Sequence, residues 1–189
     1  MSSVFARTSW FAVALLVSTA GLGLWIGDLH GQTEPAVLRW ATVHRLSGAF
    51  AALTVVLVNS MAFTYFIGTG RWCREVVDAY GLEPSLFERA RGLKRRAFPW
   101  VLVGTIAVVL AAALGAAADP ASGRPGTADW VNVHLLGSLA CVALIAFCFQ
   151  AQYGVIQRQQ SLVSEVLEQV GRVRERLERG HVDSVAAGE

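Results

Sequence analysis

Charged residues are scarce in this chain and unevenly distributed. Only 16% of its 189 residues are Asp, Glu, Lys or Arg, whereas a soluble domain carries about a quarter. Long runs contain no charge at all, and the basic residues cluster between these runs. This distribution excludes an ordinary soluble domain and indicates a membrane protein. The basic residues lie beside apolar segments and no nucleic-acid motif occurs, so we expect no nucleic-acid partner.

Cysteine is also sparse. The three cysteines, Cys73, Cys141 and Cys148, do not form a CxxC or another metal-ligand spacing, which argues against a zinc or redox motif. Two of them lie inside the last apolar segment, where cysteine behaves as a small hydrophobic residue.

Four apolar segments are long enough to cross about 30 Å of hydrocarbon, which takes about 20 helical residues. They are approximately Trp10–Ile26, Trp40–Ile67, Phe98–Ala118 and Trp130–Tyr153. Because open sheet edges do not occur in lipid, these segments are expected to be helices. The sequence therefore predicts an all-α membrane protein with a four-transmembrane-helix bundle in residues 1–155.

The basic residues predict the orientation of the bundle. Thirteen of the 16 Lys and Arg residues lie in the N-terminal segment, the loop between the second and third spans, or the C-terminal tail. The positive-inside rule then places both termini and the central loop in the cytoplasm, with the protein in the cell (inner) membrane.

Two further cytoplasmic elements are predicted. In the central loop, residues 69–97, the segments Arg71–Tyr80 and Pro84–Arg96 are interpreted as short amphipathic helices at the headgroup layer. Residues 156–180 are predicted to continue as a helix, because apolar residues recur there at heptad spacing. This seam consists of Val163, Val166, Val170, Val173 and Leu177. It packs either on the central loop of its own chain or against a second protomer, and residues 181–189 are expected to be disordered.

An internal repeat appears at an offset of 90 residues. The segment WATVHRL, which begins at Trp40, aligns with WVNVHLL, which begins at Trp130, so that His44 matches His134. We interpret the bundle as two tandem helical hairpins, repeat 1 at about 10–68 and repeat 2 at about 100–155. The first apolar segment is then the counterpart of the third, which favours a transmembrane helix over a signal peptide there.

The two repeated histidines are the main candidates for a functional site. Each lies four residues after an interfacial Trp on one of two parallel helices, about 6 Å inside the outer boundary. An ionisable residue within a span is a functional candidate, and neutral imidazole is an axial ligand of haem iron. We therefore predict that His44 and His134 bind haem b as metal ligands. The other predicted cofactor-binding residues are Arg45, Ser47, Gly48, Gly137, Ser138, Trp40 and Trp130.

Each of these residues has a predicted role and an alternative. Small residues three and four positions after each histidine lie on the same helix face and would leave room for a macrocycle. The same residues are also typical of ordinary helix packing. Arg45 is a candidate partner for a haem propionate, and the two Trp residues are either aromatic anchors or a cover for the cofactor edge. Polar packing of the histidines, or copper or another metal, remain alternatives to haem. His30 is interpreted as a solvated loop residue.

The motifs HRLSG, which begins at His44, and VHLLG, which contains His134, resemble the paired histidine motifs of heme A synthases. Those proteins contain two four-helix bundles, each with histidines on its second and fourth helices. The resemblance implies that this chain corresponds to one half of such a protein, with His44 and His134 as axial ligands of one haem b. Ala41 stands where the catalytic half of that family has a Glu, and the chain is about half the family's length. The resemblance thus implies a shared haem-bundle architecture without heme A synthase activity.

Three function classes follow. The first is a small electron-transfer cytochrome or redox-complex subunit with bis-histidine ligation near the outer face, an electron carrier more than a stand-alone enzyme. It would work with a membrane redox partner or as a homo-oligomer formed through the C-terminal helix. The second is a non-catalytic membrane subunit or assembly factor with structural histidines. The third, a metal transporter, is disfavoured because the spans lack carboxylates.

Overall fold

A computed structural model describes residues 1–186 of the chain, and all regular structure in that range is helical. The long helices are α1 (Ser2–Ile26), α2 (Pro35–Tyr80), α3 (Ser85–Ala118) and α4 (Val131–Ala186). Two short 3₁₀ turns, Pro120–Ser122 and Thr127–Trp130, connect α3 to α4. Four helices are long and apolar enough to cross a membrane, as the sequence predicted.

The four helices form one bundle. Each helix packs against the next along the chain, α1 closes the ring against α4, and α2 also contacts α4 across the diagonal. The arrangement contains two hairpins, α1–α2 and α3–α4, and each connecting loop lies at the same end as the histidines. We call this end the histidine end and the opposite one the tail end.

The helix boundaries follow from local sequence. Pro35 occupies the first turn of α2, where its missing N–H has no helical acceptor to lose. Gly81 ends the same helix in the left-handed conformation with φ of 60°, and its N–H donates to the carbonyl of Val77. Pro84 precedes the first residue of α3, and Pro99 lies inside that helix.

The segments that the sequence analysis assigned to separate short helices are continuations of the long ones. Residues Arg71–Tyr80 form the last turns of α2, and the helix that follows Pro84 runs without a break into the apolar part of α3. The reason is that helical geometry is interrupted only at the turn that begins with Gly81, between α2 and α3. In the same way α4 extends past His181 to Ala186, so part of the tail expected to be disordered is helical; residues 187–189 lie outside the described range.

The main core of the bundle combines small and aromatic side chains. Ala12, Ala51 and Ala107 let the helices approach closely, while Phe5 packs edge-on against Phe149 with ring centroids 6.2 Å apart. These contacts fill the bundle between the histidine end and the tail end.

A second cluster lies at the tail end and includes the heptad seam. Leu162 and Val166 of α4 are buried there, and Val170 and Val173 pack against the cluster. Its other members come from the end of α2, the turn after it and the start of α3: Cys73, Val77, Leu82, Leu86 and Ala90. Of the two alternatives for the seam, the structure has the contact with the chain's own central segment. The register differs from the prediction, because Leu162 and not Val163 is the buried residue, and Leu177 is 67% exposed.

Candidate functional site

His44 and His134 lie opposite each other near the histidine end. They come from the diagonal helices α2 and α4, their ring centroids are 6.4 Å apart, and their planes are inclined by 70°. The sequence predicted equal depth for the two residues; in the structure, the packing of the bundle brings their rings next to each other.

This separation suits two ligands of one metal ion. A metal–imidazole nitrogen bond is about 2 Å long, which puts each ring centroid about 3 Å from the metal. Two imidazoles that bind from opposite sides therefore have centroids about 6 Å apart. The inclination of the planes imposes no restriction, since axial imidazoles can rotate about the metal–nitrogen bond.

Each histidine has a hydrogen-bond partner on Nδ1. The Nδ1–H of His44 donates to the backbone carbonyl of Thr19 on α1, at 3.1 Å. Because a carbonyl only accepts, this bond leaves Nε2 of a neutral His44 with a free lone pair. Nδ1 of His134 lies 3.0 Å from Oγ of Ser138, a group that can donate or accept. Metal-binding histidines usually have such a partner, which orients the ring.

Two glycines make space for the imidazole rings. A Cβ at Gly23 would lie 2.8 Å from Cε1 of His44, and a Cβ at Gly115 would lie 3.2 Å from Cε1 of His134. Each ring thus rests against the backbone of the other helix in its own hairpin. Sequence reasoning missed both glycines because they are not equivalent positions in the repeat: 90 residues after Gly23 stands Ala113.

Residues near the two histidines that are equivalent in the repeat have nearly equal exposed fractions. Trp40 and Trp130 are 46% and 45% exposed, and Leu46 and Leu136 are 67% and 68% exposed. The two hairpins therefore present matching residues to the surroundings, and the histidines occupy matching positions between them.

The small residues beside the histidines pack within the hairpins. Ser47 donates to the carbonyl of His44 at 2.9 Å and accepts a hydrogen bond from Thr19, and Gly48 faces the methyl group of the same Thr19. At Gly137 the expectation of free space for a macrocycle is not met. A Cβ there would lie 2.5 Å from Cδ1 of Leu114, because that side chain of α3 already fills the position.

The remaining predicted site residues lie at the rim. Arg45 was expected to be free for a propionate, but its Nε lies 3.5 Å from a carboxylate oxygen of Asp119 at the end of α3. Trp40 packs edge-on against Trp25, with centroids 5.7 Å apart, so it joins the two helices of its hairpin.

His30 connects the two loops at the histidine end, a role that the sequence analysis did not foresee. Its Nδ1 lies 2.6 Å from Asp28 and its Nε2 lies 2.9 Å from the hydroxyl of Thr127 in the other loop. Hydrogen bonds from His30 hold the pKa of the Asp28 carboxyl below its usual range. The Asp-x-His pattern signals the local bond, but the contact with Thr127 exists only through the fold.

A buried polar layer lies deeper in the bundle. Asn59 donates to Thr105 at 3.1 Å and accepts from Nε2 of Gln152 at 3.0 Å. About two helical turns further along α4, Gln159 donates to Thr69 at 3.2 Å. The Oε1 atoms of Gln152 and Gln159 are buried without a hydrogen-bond partner in the described residues. The sequence signal for this layer is the presence of amide residues, such as Asn59 and Gln152, within long apolar segments.

Comparison of the chain with protein-family models, with curated proteins and with solved structures finds no match. No family is assigned. The residues themselves therefore carry the functional argument, and the likeness to heme A synthases extends no further than the two histidine motifs. Among the described residues, no group of three or more His, Cys, Asp or Glu side chains is placed to hold a metal ion.

Proposed function

We propose that the chain is a multi-pass membrane protein whose His44 and His134 hold one haem b by bis-histidine ligation. Support for the membrane location comes from the outer surface of the bundle. Large apolar side chains such as Trp10, Leu53 and Leu136 are more than two-thirds exposed, an arrangement that lipid stabilises and water does not. The basic residues favour cytoplasmic termini in the inner membrane, which puts the histidine end on the outer side.

The paired imidazoles carry the haem proposal. They face each other at 6.4 Å, the separation that a shared metal requires, and the bond from His44 to the Thr19 carbonyl leaves Nε2 available as a ligand. An isolated ion in a protein usually needs three or more protein ligands. No group of three or more such ligands occurs among the described residues, and a haem iron needs only two axial ligands from the protein. This favours haem over copper or another free metal.

The proposed role is that of a small electron-transfer cytochrome or a subunit of a redox complex. When bound, haem supplies one-electron chemistry, while the protein supplies ligation, orientation and a dry pocket. His44 and His134 would hold the iron, and the lack of a side chain at Gly23 and Gly115 leaves room for their rings between the helices of each hairpin. A single haem near one face cannot carry electrons across the whole bilayer, so the role requires a membrane redox partner.

A second candidate is a non-catalytic membrane subunit in which the histidines are structural. The observation that favours it is the packing of Leu114 into the space above Gly137 and the ion pair of Arg45 with Asp119. Leu114 occupies space that the haem proposal gives to the macrocycle, and Asp119 pairs with the arginine that it gives to a propionate.

One experiment separates the two candidates. The protein is expressed with adequate haem, purified in detergent, and its reduced-minus-oxidised absorption spectrum recorded. A sharp b-type band is expected that disappears in His44→Ala and in His134→Ala. His30→Ala is the matched control, because His30 lies in the outer loop and should leave the band unchanged. A colourless wild-type protein, or a band that survives both span variants, would refute haem ligation by this pair.

A further inference from the structure

A groove separates α3 from α4 at the tail end, on the opposite side of the bundle core from the histidine pair. Its volume is about 440 Å³, within the range of small-molecule sites. Its lining combines basic, small and apolar side chains, of which the important ones are Arg89, Arg96, Arg158, Ser161, Leu93 and Leu162. No residue of the groove takes part in the candidate haem site.

The groove carries positive charge that the protein does not neutralise. Arg89 forms two close contacts with Glu165, both at 2.8 Å, which fixes one wall. Arg96 and Arg158 have no acidic partner within the part of the chain that the structure describes, and both side chains are exposed. Two guanidinium groups on facing helices therefore point to an anion that either helix alone would bind weakly.

The location of the groove indicates what kind of anion it binds. Arg96 lies two residues before Phe98, where the apolar part of α3 begins, and Arg158 lies five residues after Tyr153, where the apolar part of α4 ends. Five residues of helix span about 7.5 Å, so both charges lie at the depth of a lipid phosphate.

We propose that this groove binds an anionic phosphate group, that of an acidic phospholipid headgroup. The planar guanidinium forms paired hydrogen bonds with phosphate oxygens, and basic pockets between membrane helices bind acidic headgroups. A soluble phosphate compound offers the same chemistry from the aqueous side. The proposal rests on the membrane location in the proposed function and is independent of haem.

The test uses the full chain in detergent. Binding of phosphatidylglycerol and phosphatidylcholine is measured by native mass spectrometry, and binding of inorganic phosphate by calorimetry. Phosphatidylglycerol is expected to bind the wild type more tightly than phosphatidylcholine. The double variant Arg96→Gln/Arg158→Gln is expected to bind phosphatidylglycerol roughly 30-fold more weakly, since each basic residue at the headgroup layer contributes about 1 kcal/mol, or about fivefold.

The matched control is Arg174→Gln/Arg176→Gln, which removes two exposed arginines of α4 that lie at least 16 residues, or about 24 Å of helix, beyond Arg158. Its phosphatidylglycerol affinity should fall by less than about threefold, because screening leaves distant charges little effect on binding in the groove. Should the groove double variant fail to fold by circular dichroism, the single variants test the proposal at about fivefold each.

The outcomes separate the sources and the proposals. Selective loss of phosphatidylglycerol binding supports the lipid headgroup, and loss of inorganic phosphate binding in the same variant supports the groove with a soluble phosphate ligand. The proposal would be overturned if the groove and control variants lost phosphatidylglycerol affinity equally. It would also be overturned if the wild type bound neither anionic probe in preference to phosphatidylcholine. Failure of the membrane location itself would show as wild-type protein in the soluble cell fraction, and failure of the haem proposal as a missing b-type band.

Discussion

Gly23 offers the sharpest test of how His44 is held. In Gly23→Ala the new Cβ would lie 2.8 Å from Cε1 and 3.3 and 3.4 Å from the two ring nitrogens of His44. Ordinary contact between carbon atoms is about 3.5–4.0 Å, so the ring must move by roughly 0.7 Å or more. The ring edge is rigid, and the bond from Nδ1 to Thr19 resists the movement.

The expected magnitude follows from two opposing effects. Overpacking of a filled site costs about 1–3 kcal/mol, while Ala is about 1 kcal/mol better than Gly inside a helix. We therefore expect a net loss of stability on the order of 1 kcal/mol in Gly23→Ala. If haem is bound, the displaced imidazole should also lower the ratio of haem to protein.

Two matched glycines serve as controls for this prediction. A Cβ at Gly21, on the same helix, would meet nothing within 4 Å, and one at Gly115 would meet His134 at 3.2 Å. Thermal unfolding in detergent should rank the variants so that Gly21→Ala is the most stable, Gly115→Ala intermediate and Gly23→Ala the least stable. If Gly23→Ala and Gly21→Ala unfolded at the same temperature, His44 would not be packed against α1.

Three other predictions concern the rest of the bundle. Asn59→Leu leaves Nε2 of buried Gln152 without its acceptor and should lower the free energy of unfolding by about 1–3 kcal/mol. Gln152→Met should lower it less, because this change also removes the buried Oε1 that has no partner. Equal unfolding temperatures of the two variants would contradict this. The hydrogen bond from Arg89 holds the pKa of the Glu165 carboxyl below its usual range, so its stabilising effect is present above that range and is lost as pH falls through the lowered pKa. Glu165→Gln should therefore lower the melting temperature slightly at pH 7 and leave it unchanged in strong acid. Thr127→Val removes the hydroxyl that binds His30 and should speed hydrogen exchange in both outer loops, whereas unchanged exchange would mean that this contact does not hold the loops together.

Helix positions were predictable to the extent that they depend on hydropathy. The four apolar segments correspond to the four long helices, because a run of about 20 apolar residues has few other stable forms. The extensions were not predictable in the same way. The mixture of charged and apolar residues after Ile67 suggested a change of direction, yet helical geometry continues until the left-handed turn at Gly81.

The proximity of the two histidines could be predicted from the sequence, whereas the contacts that hold their rings could not. The repeat identified His44 and His134 because each follows a Trp by four residues at the start of an equivalent helix of its hairpin. The residues that hold the rings come from the other helix of the hairpin or one turn away, and Gly115 interrupts the repeat. Arg45 illustrates the same limit, since its partner Asp119 lies 74 positions away in sequence and meets it only in the bundle.

The amino-acid sequence by itself determined the four apolar helices, their arrangement as two hairpins and the equivalent positions of the two histidines, because these depend on hydropathy, on the internal repeat and on residue spacing along each helix. Only the tertiary structure decided that the ring centroids lie 6.4 Å apart, that the heptad seam packs on its own chain through Val166, Val170 and Val173, and that Arg96 and Arg158 line one groove. These features depend on the rotation of each helix about its axis, which the packing of all four helices fixes together.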